Sequence, residues 1–312
     1  MIINQPNKKD FESVAIENLT QSFDLLFKVY DNYNQYDNGI IKEEVPIKDI
    51  WKFHSGTIRT SLILLQQGIE GLMKATICDI SPLLLIDNPR KEWPTLPDSK
   101  NKDFDCLYMI GAEALLHTFC SIKKSSISIT PSVIKFIEDV RQKRNRAIHG
   151  VCMVDVTPID IIENILNTFT IWFGKDLWHK ELVKNIMENP LFGYVDYEFE
   201  KYSSYKLLDF ALFILGKNKL ARFISSDIKG RSYFCPECKE NIDGDFGTLE
   251  SKWAFLKPNK PGSTIISCVN CQNEFEVIRN KCNNIKCKCK GNVLYDGEFS
   301  DGLICLTCYH EQ

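Results

Sequence analysis

Arg144-Asn145-Arg146-Ala147-Ile148-His149-Gly150 closes a stretch of helical periodicity that opens at Thr130-Pro131, and reading it as a helix decides what lies around it. Thr130 suits a helix cap and Pro131 the first helical position. Gly150 suits a left-handed residue just past the end. On a helical wheel Val133, Ile137, Val140, Ala147 and Ile148 form an apolar stripe, and Arg144 falls inside it. Arg141, Asn145 and His149 step by four along a neighbouring edge. A guanidinium on an apolar stripe is costly unless something pairs with it. The available partners are a carboxylate on another helix (Glu70 or Glu113), a facing subunit, or a bound phosphate. An arginine, an amide and an imidazole this close together can handle a phosphodiester without a metal: a cation for phosphate charge and an imidazole for proton transfer.

The same periodicity extends outward on both sides. Phe11–Tyr33 carries Val14, Ile16, Leu19, Phe23, Leu26, Phe27 and Tyr30 near a helical repeat. Ile47–Ile80 holds a longer pattern whose centre, Ser61 to Ala75, is apolar enough to be buried. Asp87–Asp103, rich in Pro, Lys, Asp and Asn, reads as a loop, and Phe104–Lys123 as a third helix before the Thr130–His149 fourth. Thr157-Pro158 opens a fifth that continues to about Trp178, and Ser203–Ser225 is a further helix, packed on this bundle or bridging to the tail. His54, His117 and His179 lack a partner motif and read as structural, and Trp172, Phe173 and Trp178 as core or interface aromatics.

The tail changes character. Nine of the 13 cysteines (235, 238, 268, 271, 282, 287, 289, 305 and 308) follow residue 234, which places a boundary near Gly230 between a helical region, 1–230, and a cysteine-rich region, 231–312. Between those cysteines lie short β-favouring runs: Thr264–Ser267, Phe275–Ile278, Val293–Tyr295 and Leu303–Leu306. Such a small region buries little apolar area and needs metal to fold. Cys235-Pro-Glu-Cys238 and Cys268-Val-Asn-Cys271 form a four-cysteine zinc ribbon with a long insert. A second site uses Cys305 and Cys308 with two of Cys282, Cys287 and Cys289, whose spacings leave the choice open; His310 reads as a tail residue or a spare ligand. All-thiolate sites leave no open coordination position, so both zinc ions are structural. Cys78, Cys106, Cys120 and Cys152 read as small apolar residues.

Composition excludes several classes. The net charge of -3 over 312 residues is not that of a whole-protein polyanion binder, so nucleic-acid contact must come from a local patch. Arg279, Lys281, Lys286, Lys288 and Lys290 make one such run, read as either a solvated face or a phosphate contact. Met1 to Lys9 lacks the apolar core of a secretory signal, and no apolar run approaches the roughly 18 residues that span a bilayer. A cytoplasmic location with no membrane association is expected, and there paired cysteines hold metal rather than form disulfides. A phosphate-cradling glycine loop, a Ser-His-Asp order and a His-Glu-x-x-His motif are all lacking.

At Arg144, Asn145 and His149 the chain resembles the HEPN superfamily of nucleic-acid-processing helical bundles, whose signature is an arginine, a polar residue directly after it, and a histidine after four to six intervening residues. The likeness covers roughly 45–178 and includes Glu70-Gly-Leu-Met-Lys74, similar to the Glu-Leu-Leu-Leu-Lys of an earlier helix in such domains; Gly71 departs from the usual apolar residue. The expected architecture is therefore mainly α: a HEPN-like helical bundle followed by a small β-rich zinc-ribbon region. The resemblance implies a homodimer in which two Arg/His sets meet, and metal-independent endoribonuclease activity with 2′-OH attack on the neighbouring phosphate. Arg144 and His149 would then be catalytic, Asn145 would orient the imidazole or bind phosphate, and Arg141 and Arg146 would contact RNA. By analogy such domains serve microbial toxin–antitoxin or anti-phage defence, held by an antitoxin or a sensor protein. The competing expectation is a non-catalytic module whose ribbons bind nucleic acid or protein.

Overall fold

A computed structural model describes residues 1–35, 45–94, 100–122, 127–149, 156–188, 190, 197–243, 249–287, 292–299 and 302–312. The architecture is mainly helical, with a small antiparallel β region at the C-terminal end. The chain divides into two compact units, Met1–Trp172 and Phe173–Gln312. Among the described residues no helix is long and apolar enough to cross a membrane.

The first unit is built on α1 (Lys8–Gln35) and α3 (Ser55–Cys78), which run antiparallel. Leu19, Phe23 and Leu26 of α1 and Leu62, Leu65 and Ile69 of α3 are buried, each contributing about 1.5–3 kcal/mol. Ser22 and Ser61 lock the pair: each hydroxyl donates to the other's carbonyl, at 2.7 and 2.6 Å, in a fully buried spot. Two glycines let the helices approach. A Cβ at Gly68 would stand 2.7 Å from Leu19, and one at Gly71 would stand 2.8 Å from the Ala15 Cβ. Gly71 therefore occupies a helix contact with no room for a side chain.

The 47–80 periodicity is divided in two. α2 (Ile47–Phe53) ends at His54, whose φ of -85° and ψ of 26° leave the helical region before α3 begins. The expected helix over 104–123 is also shortened. Phe104–Cys106 forms one 3-10 turn, capped by the Asp103 carboxylate accepting from Asp105 N, and only α4 (Ala112–Ser121) is α-helical. The segment between is extended because its backbone pairs with the chain after α3: Asp87 N donates to Tyr108 O at 2.8 Å, and Ile110 N to Leu85 O at 2.9 Å. Such pairing satisfies polar backbone groups that a helix would otherwise satisfy. Within 87–103, Arg90–Glu92 forms a 3-10 turn, and β2 (Lys102–Asp103) pairs in parallel with β1 (Ile2–Ile3).

α5 (Pro131–His149) matches its predicted span, and Thr130 Oγ1 accepts from Val133 N at 3.4 Å. Ile137, Val140 and Ala147 are buried; Ile148, placed on the stripe from sequence, is 45 % exposed. At 100° per residue it lies round the helix from Ala147, beyond the neighbouring helices. Gly150 lies outside the described residues. α6 (Pro158–Phe173) opens with a Thr157–Asp160 reciprocal cap. It stops short of Trp178 because Gly174 turns the chain at φ 94°.

The second unit holds α7 (Trp178–Met187), α8 (Tyr197–Leu220), α9 (Pro236–Ile242) and two antiparallel sheets. The first sheet runs β3 (Ser232–Tyr233), β4 (Ala254–Leu256), β5 (Ile265–Cys268), β6 (Glu274–Glu276), and the second β7 (Ile278–Arg279), β8 (Val293–Tyr295), β9 (Ile304–Cys305). α8 belongs with this region for specific reasons. Lys201 pairs with Glu237 at 2.5 Å, both nearly buried, and Asp209 accepts from Trp253 Nε1 at 2.8 Å and from the Ser251 hydroxyl. The compact units consequently divide at Trp172, ahead of the point where the cysteines begin. Phe234 N donates to Leu306 O at 2.8 Å and Lys252 Nζ to Thr307 O at 2.6 Å, tying one ribbon to the other.

Candidate functional site

α5 presents Arg144 between Val140 and Ala147 on the line of buried side chains, where the helical wheel puts it. Arg144 is half-buried, and its Nη1 donates to Asn145 Oδ1 at 2.9 Å. Its Nε is buried without an acceptor, and no described carboxylate pairs with it. The two acids singled out from sequence lie elsewhere in the network. Glu70 accepts from Gln66 at 3.1 Å, and Glu70 and Glu113 both exert their attraction on Arg141.

Arg141 itself is engaged. Its Nε and Nη2 donate to the two oxygens of Glu138 at 2.9 and 2.8 Å, a bidentate pair across one turn. Those bonds, with one from Gln142, hold the Glu138 carboxyl below its usual range and raise Arg141. Arg146 is exposed, as is His149, and neither side chain is bonded among the described residues. His149 follows Asn145 by four residues, so the two share one edge of the helix. Thus Arg144 and Asn145 are joined, His149 lies one turn further along Asn145's edge, and Arg141 carries a neutralised charge.

The cysteine centres are built more completely. Cys235, Cys238, Cys268 and Cys271 bring their sulfurs within 4.8 Å of one another. Cys235 and Cys271 stand 3.7 Å apart, Cys238 and Cys268 3.9 Å. A tetrahedron with metal–sulfur bonds of about 2.3 Å has edges of about 3.8 Å, so the spacing fits one zinc ion. The second group is Cys282, Cys287, Cys305 and Cys308, with Cys282 and Cys308 3.7 Å apart. Among the described residues Cys287 joins Cys282; Cys289 lies outside them. His310 contributes only its carbonyl, which accepts from Cys305 N at 2.9 Å.

Around the sulfurs stand donors that sequence reasoning missed. Asn284 N donates to Cys282 at 3.3 Å, Gln312 Nε2 to Cys282 at 3.5 Å, and Asn292 Nδ2 to Cys287 at 3.6 Å. Asn270 Nδ2 lies 3.8 Å from Cys238, and the buried Tyr205 hydroxyl 3.9 Å from Cys268. Such outer donors orient thiolates and spread their charge. Asn270 lies inside its own Cys-x-x-Cys, a local signal; Tyr205, 63 residues from Cys268, gave none. Both centres fit structural zinc, with four protein ligands each and no open position.

Compared with protein-family models, curated proteins and solved structures, the chain matches none of them.

Proposed function

We propose that this protein is a metal-independent endoribonuclease whose reaction is carried by Arg144, Asn145 and His149 of α5, with zinc confined to a structural role. The observation that carries the reading is Arg144: a half-buried guanidinium on an apolar line that, among the described residues, is tethered only by a neutral amide and has one nitrogen buried and unpaired. A purely structural arginine in that position would be matched by a carboxylate, whereas an unmatched one is ready for an anion.

The chemistry follows from the groups present. A ribose 2′-OH attacks the adjacent phosphorus, passing its proton to an imidazole, and the 5′-oxygen departs with a proton. The products are a 2′,3′-cyclic phosphate and a 5′-hydroxyl. His149 is the proton carrier and Arg144 offsets charge on the non-bridging oxygens. Asn145 positions the guanidinium and, along the shared edge, the imidazole. Two copies of α5 brought together in a homodimer would supply two such sets. The motif's likeness to HEPN domains supports this arrangement, and the same analogy suggests a toxin or anti-phage effector restrained by an antitoxin or sensor.

The test is cleavage of an end-labelled RNA by purified protein without added divalent cation. His149→Ala and Arg144→Ala should each lower the rate at least a hundredfold. Equal cleavage by either variant would overturn the assignment.

A second reading has its own support. Lys281, before Cys282, and Ile285 and Lys286, between Cys282 and Cys287, are exposed, with Ile285 at 96 %. That surface suits a non-catalytic role in which the ribbons bind nucleic acid or a protein.

A further inference from the structure

The first unit contains a cleft of about 540 Å³ beside the motif helix, formed by α2, α3, Ala147 of α5 and the entry to α6. That volume is typical of small-ligand sites. Lys48, Trp51 and Lys52 share one face of α2, and Ser55, Ile58, Arg59 and Leu62 one face of α3. Its floor is apolar, with Leu62, Ala147 and Pro158 buried and the Trp51 indole half-exposed. Its rim is cationic: Lys48, Lys52 and Arg59 are exposed, and no acid lines the cleft among the described residues. The three cations form no hydrogen bond or ion pair among the described residues.

We infer that this cleft holds one nucleotide of a single-stranded RNA, with its base against Trp51 and the flanking phosphates on Lys48, Lys52 and Arg59. The inference rests on the reading of this unit as RNA-handling and adds where the strand is anchored. A free inorganic phosphate would use the cations but not the indole or the apolar floor. A base with flanking phosphates uses all three, and aromatic stacking accepts any base. Placement gives the cleft its purpose. Ala147 lies one turn from Arg144 on the same line of α5, so a strand seated there lies against the helix that carries the motif. Charge complementarity explains why a chain of net charge -3 still recruits a polyanion: the cations are gathered locally.

Binding is measured on full-length His149→Ala protein, by fluorescence anisotropy of a labelled single-stranded oligoribonucleotide across a salt series. Trp51→Ala should weaken binding about tenfold or more, and Trp51→Phe, which keeps a stacking face, should restore most of it. Arg59→Gln and Lys52→Gln alter exposed side chains, and each should flatten the salt dependence by about 0.7 for the phosphate contact it removes. Unchanged affinity and slope in Trp51→Ala and Arg59→Gln would overturn the inference. So would the absence of any RNA binding, or adenosine monophosphate binding as tightly as the oligonucleotide. The two readings fail separately. Loss of binding in the cleft variants, with no cleavage by wild type, leaves the cleft standing and ends the ribonuclease proposal. Cleavage by wild type with full binding by Trp51→Ala does the reverse.

Discussion

The Arg144 guanidinium is drawn toward Asn145, its immediate neighbour on α5, by a 2.9 Å bond from Nη1 to the amide oxygen. Successive helical residues point about 100° apart, so this bond pulls the guanidinium off the buried line toward the edge that also bears His149. A neutral tether leaves the positive charge available; a carboxylate would consume it. Asn145→Asp should therefore abolish RNA cleavage as fully as Arg144→Ala while leaving the fold intact or firmer. Asn145→Ala should lower the rate only about ten- to a hundredfold, in the range of a lost orienting contact. Cleavage rates and urea midpoints of the three variants check this, and an Asn145→Asp protein that cuts like wild type would contradict it.

The contact between α1 and α3 makes Gly71 a sensitive position. Alanine in place of glycine favours a helix by about 1 kcal/mol. Here the added Cβ would meet the Ala15 Cβ at 2.8 Å and its Cα at 3.3 Å, both fixed to backbone. The helices must part, at about 1–3 kcal/mol, so Gly71→Ala should show a net loss in urea unfolding.

Each chain should carry two zinc ions by atomic emission. Cys235→Ser and Cys287→Ser should each remove one, whereas Cys289→Ser should leave two, because Cys282, Cys287, Cys305 and Cys308 already complete a tetrahedron. The bonds from Phe234 N to Leu306 O and from Lys252 to Thr307 join the ribbons, so emptying either site should also loosen the other. Hydrogen exchange across 232–268 in Cys287→Ser reports that coupling.

Acid should destabilise the second unit through His179. The ring is fully buried and neither nitrogen is hydrogen-bonded among the described residues; burial, with a smaller repulsion from Lys180, lowers its pKa from 6.5 to about 3. Between those values the unfolded chain binds a proton that the folded chain refuses. Stability is thus highest above pH 6.5 and falls as pH drops through that window, by about 2 kcal/mol at pH 5. His179→Leu should remove this part of the slope, as read from urea midpoints at pH 7 and pH 5.

What could be read from the residues was local. Thr130-Pro131 marks the start of α5 because capping is decided within one turn, and Arg144's place on the stripe follows from spacing alone. The break at His54 was hidden, since neither Gly nor Pro stands at that position. The extended segment before α4 was hidden too, because the chain it pairs with lies some twenty residues away at Leu85–Asp87. Whether α8 joined the bundle or the ribbons depended on partners such as Glu237 and Trp253, which no periodicity reveals. The engagement of Arg141 by Glu138 was within reach, being an i, i+3 pair on one helix. Cys287 could not be chosen over Cys289 from spacing, because both intervals occur in zinc sites.

The most direct measurement of the central claim is the chemistry of the ends left on RNA. Total RNA is incubated with wild-type, Arg144→Ala and His149→Ala protein, and the 3′ termini are mapped for 2′,3′-cyclic phosphate. New cyclic-phosphate ends with wild type, absent with both variants, are the predicted result. Intact RNA with correctly folded, zinc-loaded wild-type protein, or ends bearing a 3′-hydroxyl, would contradict it.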